Sequence, residues 1–282
     1  MPLLSNSYGK GRVRVMRVHR DGDHNEVREL SVLTMLQGGF EAAYTAGDNH
    51  AVIATDTIKN MAYIVARENM TACAETYAHR LASRFLERYP QVEQATVQTT
   101  ETKWVRATLG GVLHPHSFVL DSNGQPTARV TVARDGSVTT ASGIAGFTFL
   151  KSTQSGWVGY VMDEYTTLGE TTDRIAATAM DATWTWRSVP DDYPVANALV
   201  LSTMLEVFGT TYSRGVQDSL YRMGEAALAA VPALATVSMA CPNKHYIPVK
   251  LDHFGLSGDN SVFVSTDEPH GQIECTIGRA PA

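Results

Sequence analysis

The sequence predicts an α+β fold in which helices cover one face of an antiparallel sheet, and it predicts that arrangement twice. Three observations carry this. Val13, Val15 and Val18 interleave with Arg12, Arg14 and Arg17, and a second apolar run from Val27 to Leu36 returns after the turn Asp21-Gly22-Asp23, which is the pattern of a half-buried hairpin. Cys73, Tyr77, Leu81 and Phe85 recur at every fourth position, the stripe of a helix packed on a sheet. The order of strands, helices and strands then runs a second time beyond Gly136.

The stretch from Tyr44 to Asn60 follows the first hairpin. Gly47, Asp48 and Asn49 form turns, Ala51 to Ala54 is a short apolar run, and Thr55, Asp56 and Thr57 precede a helix from Ile58 to Arg67. Threonine and aspartate oxygens accept the unpaired N–H groups of a first helical turn, so Thr55 and Asp56 read as caps, and such a start is also an anion site. Asn69 to Thr71 interrupts the helix, Thr71 caps the next one, and Pro90 stops it. Strands follow at Thr96 to Leu109, Ser117 to Asp121 and Thr127 to Arg134, the last two joined through Asp121-Ser122-Asn123-Gly124.

In the second half, strands are expected at Thr139 to Leu150 and Ala182 to Arg187. Helices are expected at Val195 to Phe208 and Val216 to Val231, and closing strands at Thr236 to Ala240, His245 to Leu251, Ser261 to Ser265 and Gln272 to Ile277. Tyr44-Thr45 ahead of Ala54-Thr55-Asp56 is echoed by Tyr165-Thr166 ahead of Ala177-Thr178. An internal duplication is therefore expected, with units at 1–135 and 136–282.

Composition narrows the function classes. The 282 residues are 44% hydrophobic and 18% charged, as in a globular protein. A net charge of -6 and a pI of about 5.8 imply no general nucleic-acid affinity. Cys73, Cys241 and Cys275 are sparse and odd in number, and no C-x-x-C exists, so a reducing compartment is expected and a structural zinc site is not. With no apolar signal core, no membrane-length run and a C-terminal R-A-P-A in place of S-K-L, the expected location is cytoplasmic.

Several residues can carry chemistry. Lys10 lies between Gly9 and Gly11, which let backbone approach a ligand. The planar fork of Arg174 can clamp a polar heterocycle edge, unless it only pairs with Asp173 or Glu170. Gln217 opens a helix, where it either caps or presents a donor and an acceptor to a planar ligand. Trp157 is either core or a stacking platform. His245 follows a proline-bounded turn and is of the residue type that exchanges protons near neutrality. His114-Pro115-His116 has no i, i+4 partner and no acidic neighbours, so its expected role is to order a loop rather than to bind metal. No Gly-rich nucleotide loop, H-E-x-x-H or G-x-S-x-G is present. The residues alone reach an intracellular α+β protein with room for a small polar or anionic ligand.

Together these stretches resemble urate oxidase (uricase). The resemblance runs through Tyr8-Gly9-Lys10, Tyr44-Thr45, Ala54-Thr55-Asp56, Lys59-Asn60, His114-Pro115-His116-Ser117-Phe118 and Leu150-Lys151-Ser152-Thr153. It continues through Asp163 to Leu168, Asp173-Arg174-Ile175, Asp181-Ala182-Thr183-Trp184, Pro242-Asn243-Lys244-His245-Tyr246 and Gly278-Arg279. It implies two tandem T-fold units, each an antiparallel sheet with two helices on one face, assembled as a homotetramer around a tunnel with active sites at subunit interfaces. It implies oxidation of urate by dioxygen and water to 5-hydroxyisourate and hydrogen peroxide, without metal or organic cofactor.

The resemblance also assigns residues. Arg174 and Gln217 grip urate, the Val216 N–H adds a bond, Asn243 faces the dioxygen or water site, and Thr55 with the Asp56 backbone arrives from a neighbouring subunit. Lys10, Thr55 and His245 form the proton relay. Trp157 stands where the family usually has a stacking Phe, a departure that bears on substrate fit. The alternative is a T-fold enzyme or non-catalytic binder that takes another purine or a pterin.

Overall fold

The N-terminal alternation folds as a long hairpin. Strands β1 (Tyr8–Asp21) and β2 (His24–Gly38) pair antiparallel from Tyr8↔Leu36 to Asp21↔His24, turning at Gly22 with φ of 55°. This is a computed structural model, which describes residues 1–256 and 261–279; Ala280, Pro281 and Ala282 of the C-terminal run lie outside the described residues. The chain divides into two units, Met1–Gly143 and Ile144–Ala282.

In the first unit, α1 (Glu41–Thr45), α2 (Thr55–Glu68) and α3 (Ala74–Arg88) follow the hairpin, and then come β3 (Val92–Leu109), β4 (Val112–Asp121) and β5 (Gln125–Ala133). The sheet order is β1-β2-β3-β5, with β4 pairing β3. The α3 stripe works as its spacing requires. Tyr77, Leu81 and Phe85 are fully buried with Ile58 and Val65 of α2 against Leu30, Val97 and Val130 of the sheet. Burying each such side chain stabilises by about 1.5–3 kcal/mol.

The second unit repeats the scheme. Strand β6 (Val138–Lys151), which runs through the division, is followed by β7 (Ala176–Trp186), α4 (Tyr193–Thr210), α5 (Val216–Ala230), β8 (Leu234–Pro248) and β9 (Phe263–Gly278). The order is β6-β7-β8-β9. Leu220, Met223 and Ala227 of α5 and Val200 and Met204 of α4 pack on Met180, Trp184, Val237 and Met239.

Several expectations are corrected. Thr55 is the first helical residue of α2, its N-cap is Ala54, and no side chain caps it. The Asp56 carboxylate turns instead to Lys59 and Asn60 at 2.5 and 2.9 Å. Thr71 does not cap α3, whose N-cap is Cys73. The turn at Asp121 does not join a hairpin. Strands β4 and β5 pair with successive halves of β3, at 103–109 and 94–100, and the hairpin turn is Gly110-Gly111, with φ of 58° and 81°. Two adjacent positive φ values suit glycine and the tight two-residue hairpin turn. The four short closing strands are two long ones. Pro242 sits inside β8 opposite Gln272, and the ladder absorbs it with a register shift between Asn243 and His245. A proline that forfeits one ladder bond reads from sequence as a strand end.

Candidate active site

The second unit builds its site from three segments that hold one another by backbone hydrogen bonds. Residues 154–157 run between 171–174 and Ser213. Ser213 N donates to Gln154 O at 2.9 Å, and Gly156 N to Ser213 O at 2.9 Å. Arg174 N donates to Ser155 O at 2.8 Å, and Trp157 and Thr171 exchange N–H···O bonds of 2.7 and 3.1 Å. This ladder fixes the backbones of Trp157 and Arg174 beside the start of α5, where Val216 and Gln217 are the first two residues. Their N–H groups precede any intrahelical acceptor. Gln217 caps nothing, since no side chain caps α5.

Trp157, Arg174, Asn243 and His245 line one cleft of about 480 Å³, open to solvent. The Arg174 guanidinium carbon stands 5.8 Å from the Trp157 ring centre, within cation–π range. The Arg174 Nε is buried and has no hydrogen-bond partner, and burial lowers the guanidinium pKa. Neither neighbouring carboxylate forms an ion pair with it. Asp173 accepts from Thr153 Oγ1 at 2.8 Å and Gln154 N at 3.2 Å, and Glu170 accepts from Gly159 N at 2.6 Å. Asn243 and His245 are half-buried on β8. Asn243 and Val216 also line a second, much tighter space of about 30 Å³. Gln217 is exposed and lines neither space.

Lys10, Thr55 and Asp56 belong to the first unit. Lys10 pairs with Thr34 just before a bulge, within which Arg12 has φ of 54°. Gly9 is obligatory there, because a Cβ would collide with Thr34 O. Tyr8 Oη accepts from Ile53 N at 2.8 Å and so fastens the loop ahead of α2 to the start of β1. The Asp56 carboxyl is held below its usual range, first by the Lys59 ammonium and more weakly by the charge of Lys10. Thr55 and Asp56 are exposed. The sequence did not single out Tyr8, Ser155 or Gly215 as positioning residues. Their roles lie in long-range backbone contacts that leave no local pattern.

His114 lies on β4 and not in a loop; its Nδ1 accepts from Ser117 N at 3.1 Å, which orders the strand locally. Among the described residues no cluster of three or more His, Cys, Asp or Glu side chains is arranged to hold a metal ion.

Fold and site together define a duplicated antiparallel α+β protein with an aromatic-walled, arginine-bearing cleft suited to a planar polar ligand. A family model described as Uricase matches residues 6–131 and 140–274, and the chain belongs to the uricase family. It is 38% identical to a uricase of Aspergillus flavus over 97% of this chain and 95% of that one. It is 39% identical to a uricase of Arthrobacter globiformis over 98% and 90%. The crystal structure of the Arthrobacter globiformis uricase superposes with a TM-score of 0.94 at 38% identity, covering 100% of this chain and 96% of the other. A uricase from Bacillus fastidious has a TM-score of 0.84 at 25% identity, with coverage of 97% and 94%.

Proposed function

We propose that this chain oxidises urate with dioxygen and water to 5-hydroxyisourate and hydrogen peroxide, and that it draws both electrons from the substrate. Family membership supports this reading, and one observation in the cleft carries it: the buried, unpartnered Arg174 Nε beside the Trp157 ring. A buried donor without an acceptor costs about 1–3 kcal/mol, which a ligand acceptor would offset. A planar heterocycle with carbonyl and ring-nitrogen acceptors along one edge meets that need and can stack on the indole.

In this reading Arg174 and Gln217 grip the edge of urate, the Val216 N–H adds a bond, and Trp157 stacks. Fixed dipoles hold the substrate in a deprotonated, electron-rich form without reorganising during reaction. Asn243 faces the position where dioxygen and later water act. Lys10, the Thr55 hydroxyl and His245 pass protons. Thr55 and the Asp56 N–H reach the site from a neighbouring subunit of a homotetramer. No metal or organic cofactor is assigned a step, since urate gives up two electrons to dioxygen and water supplies the new oxygen. The three cysteines are free and the Cys241 thiol is buried, which suits a reducing compartment such as the cytoplasm. Among the described residues no helix is long and apolar enough to cross a membrane.

The test incubates chelator-treated protein with urate in air-saturated buffer and follows loss of urate absorbance and appearance of peroxide. Stoichiometric peroxide at an undiminished rate is expected. No turnover overturns the reading, and a chelator-sensitive rate overturns metal independence.

A further inference from the structure

We infer that Gly215 sets where the Trp157 ring lies, with Tyr160 as its backing, and thereby governs which planar heterocycles the cleft accepts. This deepens the urate reading of the cleft and rests on it. A Cβ at Gly215 would stand 2.8 Å from Trp157 Cζ3, closer than real Cβ atoms approach, and a tight 3.1 Å from Cε3. The Gly215 backbone, at φ 168° and ψ 168°, is extended and open to any residue, so glycine is required there for space and not for torsion.

The indole is held by its other neighbours. Tyr160 stacks on it at 5.5 Å between ring centres and 12° between planes, and the Tyr160 hydroxyl is anchored to Leu168 O at 2.6 Å. The Trp157 backbone is bonded in both directions to Thr171. Anything added at position 215 therefore presses on the Cε3–Cζ3 edge and shifts the ring from its place beside Arg174 in the cleft. The atoms in question, Cε3 and Cζ3, belong to the second ring that distinguishes tryptophan from phenylalanine, so the glycine and the tryptophan form a matched pair. The larger platform is accommodated because residue 215 has no side chain.

The experiment measures urate affinity without dioxygen for the wild type, Gly215→Ala, Trp157→Phe and the double variant, with folding checked by circular dichroism. Gly215→Ala is expected to weaken urate binding by about tenfold or more, the scale of an overpacked site. The same change on the Trp157→Phe background is expected to cost less than about twofold. Equal losses on both backgrounds, or no loss on either, overturn the inference. If Gly215→Ala does not fold, Trp157→Phe alone must change the ratio of urate to xanthine affinity, and an unchanged ratio overturns it. A wild type that binds urate anaerobically yet never oxidises it fails the proposed function and leaves this test intact. If the wild type does not bind urate, the Trp157 emission, isolated by subtracting that of Trp157→Phe, must shift on Gly215→Ala. No shift then overturns the pairing.

Discussion

Arg174 shows how a single side chain becomes available for binding. The neighbouring acids, Asp173 and Glu170, form no ion pair with it and bond through Oδ1 and Oε1 to Thr153, Gln154 and Gly159, and the guanidinium lines the cleft beside Trp157. Lys10 and Thr55 are the residues whose assigned roles are most directly separable from structure. Thr55 is exposed and caps nothing, so Thr55→Ala should leave the thermal midpoint within a few degrees while slowing urate turnover, by about 100-fold if it relays protons. Lys10→Met should behave likewise, and full activity in both variants would remove them from the relay. Cys241 makes an independent prediction. Burial pushes its thiol from 9.0 up to about 11, so the folded state holds that proton more tightly than the unfolded state. Its contribution to stability therefore falls as pH rises from 9 towards 11. In native protein at pH 8, iodoacetamide followed by peptide mass analysis should find Cys241 unmodified after Cys275 has reacted.

At the scale of elements, the four long helices share a device that no single stretch of sequence reveals. Each C-terminus is held by a cation from elsewhere in its unit. Arg17 donates to Asn69 O and Ala72 O beyond α2, at 2.5 and 2.9 Å. Arg134 donates to Leu86 O, Tyr89 O and Val92 O around the end of α3. Lys151 donates to Phe208 O and Thr211 O at the end of α4, at 3.1 and 2.8 Å. Arg279 donates to Leu228 O, Val231 O and Leu234 O at the end of α5. A cation there satisfies orphan carbonyls and opposes the negative end of the helix dipole. Arg134→Ala and Arg279→Ala should each lower unfolding free energy by about 1–2 kcal/mol in urea denaturation, since solvent screens part of each contact. An unchanged midpoint would reduce these clasps to incidental contacts. Helix starts are treated differently: Asp192 caps α4 through Val195 N at 2.9 Å, whereas α2, α3 and α5 have no side-chain cap, and α2 and α5 open with the site candidates. Uncapped N–H groups remain free for a ligand.

For the molecule as a whole, the matching clasps of α3 and α5 express the duplication more clearly than the Tyr-Thr echo in the sequence. Arg134 and Arg279 each follow the last strand of their unit and each hold the turn into a long strand, Tyr89 to Val92 in one and Val231 to Leu234 in the other. The two units divide the site candidates between them, Lys10, Thr55 and Asp56 in one and the cleft residues in the other. If the proposed site is completed across subunits, dilution or mild denaturant that dissociates the assembly should abolish turnover while circular dichroism stays native. Activity retained by isolated, folded chains, checked by analytical ultracentrifugation, would refute a shared site.

The α+β class, the paired hairpin at 13–36, the α3 core face and the strand–helix–strand order of each half were determined by the sequence, because alternation and fourfold spacing are local consequences of which side chains avoid water. The residues that resemble the uricase family were likewise legible in order. Tertiary structure alone decided that β3 serves two partners, that β8 continues through Pro242, and that Thr55 and Asp56 cap nothing. It also decided that Trp157 lies between Tyr160 and Gly215. Each of these depends on what a residue meets from far along the chain, and ladder partners and room for a ring leave no trace in local spacing.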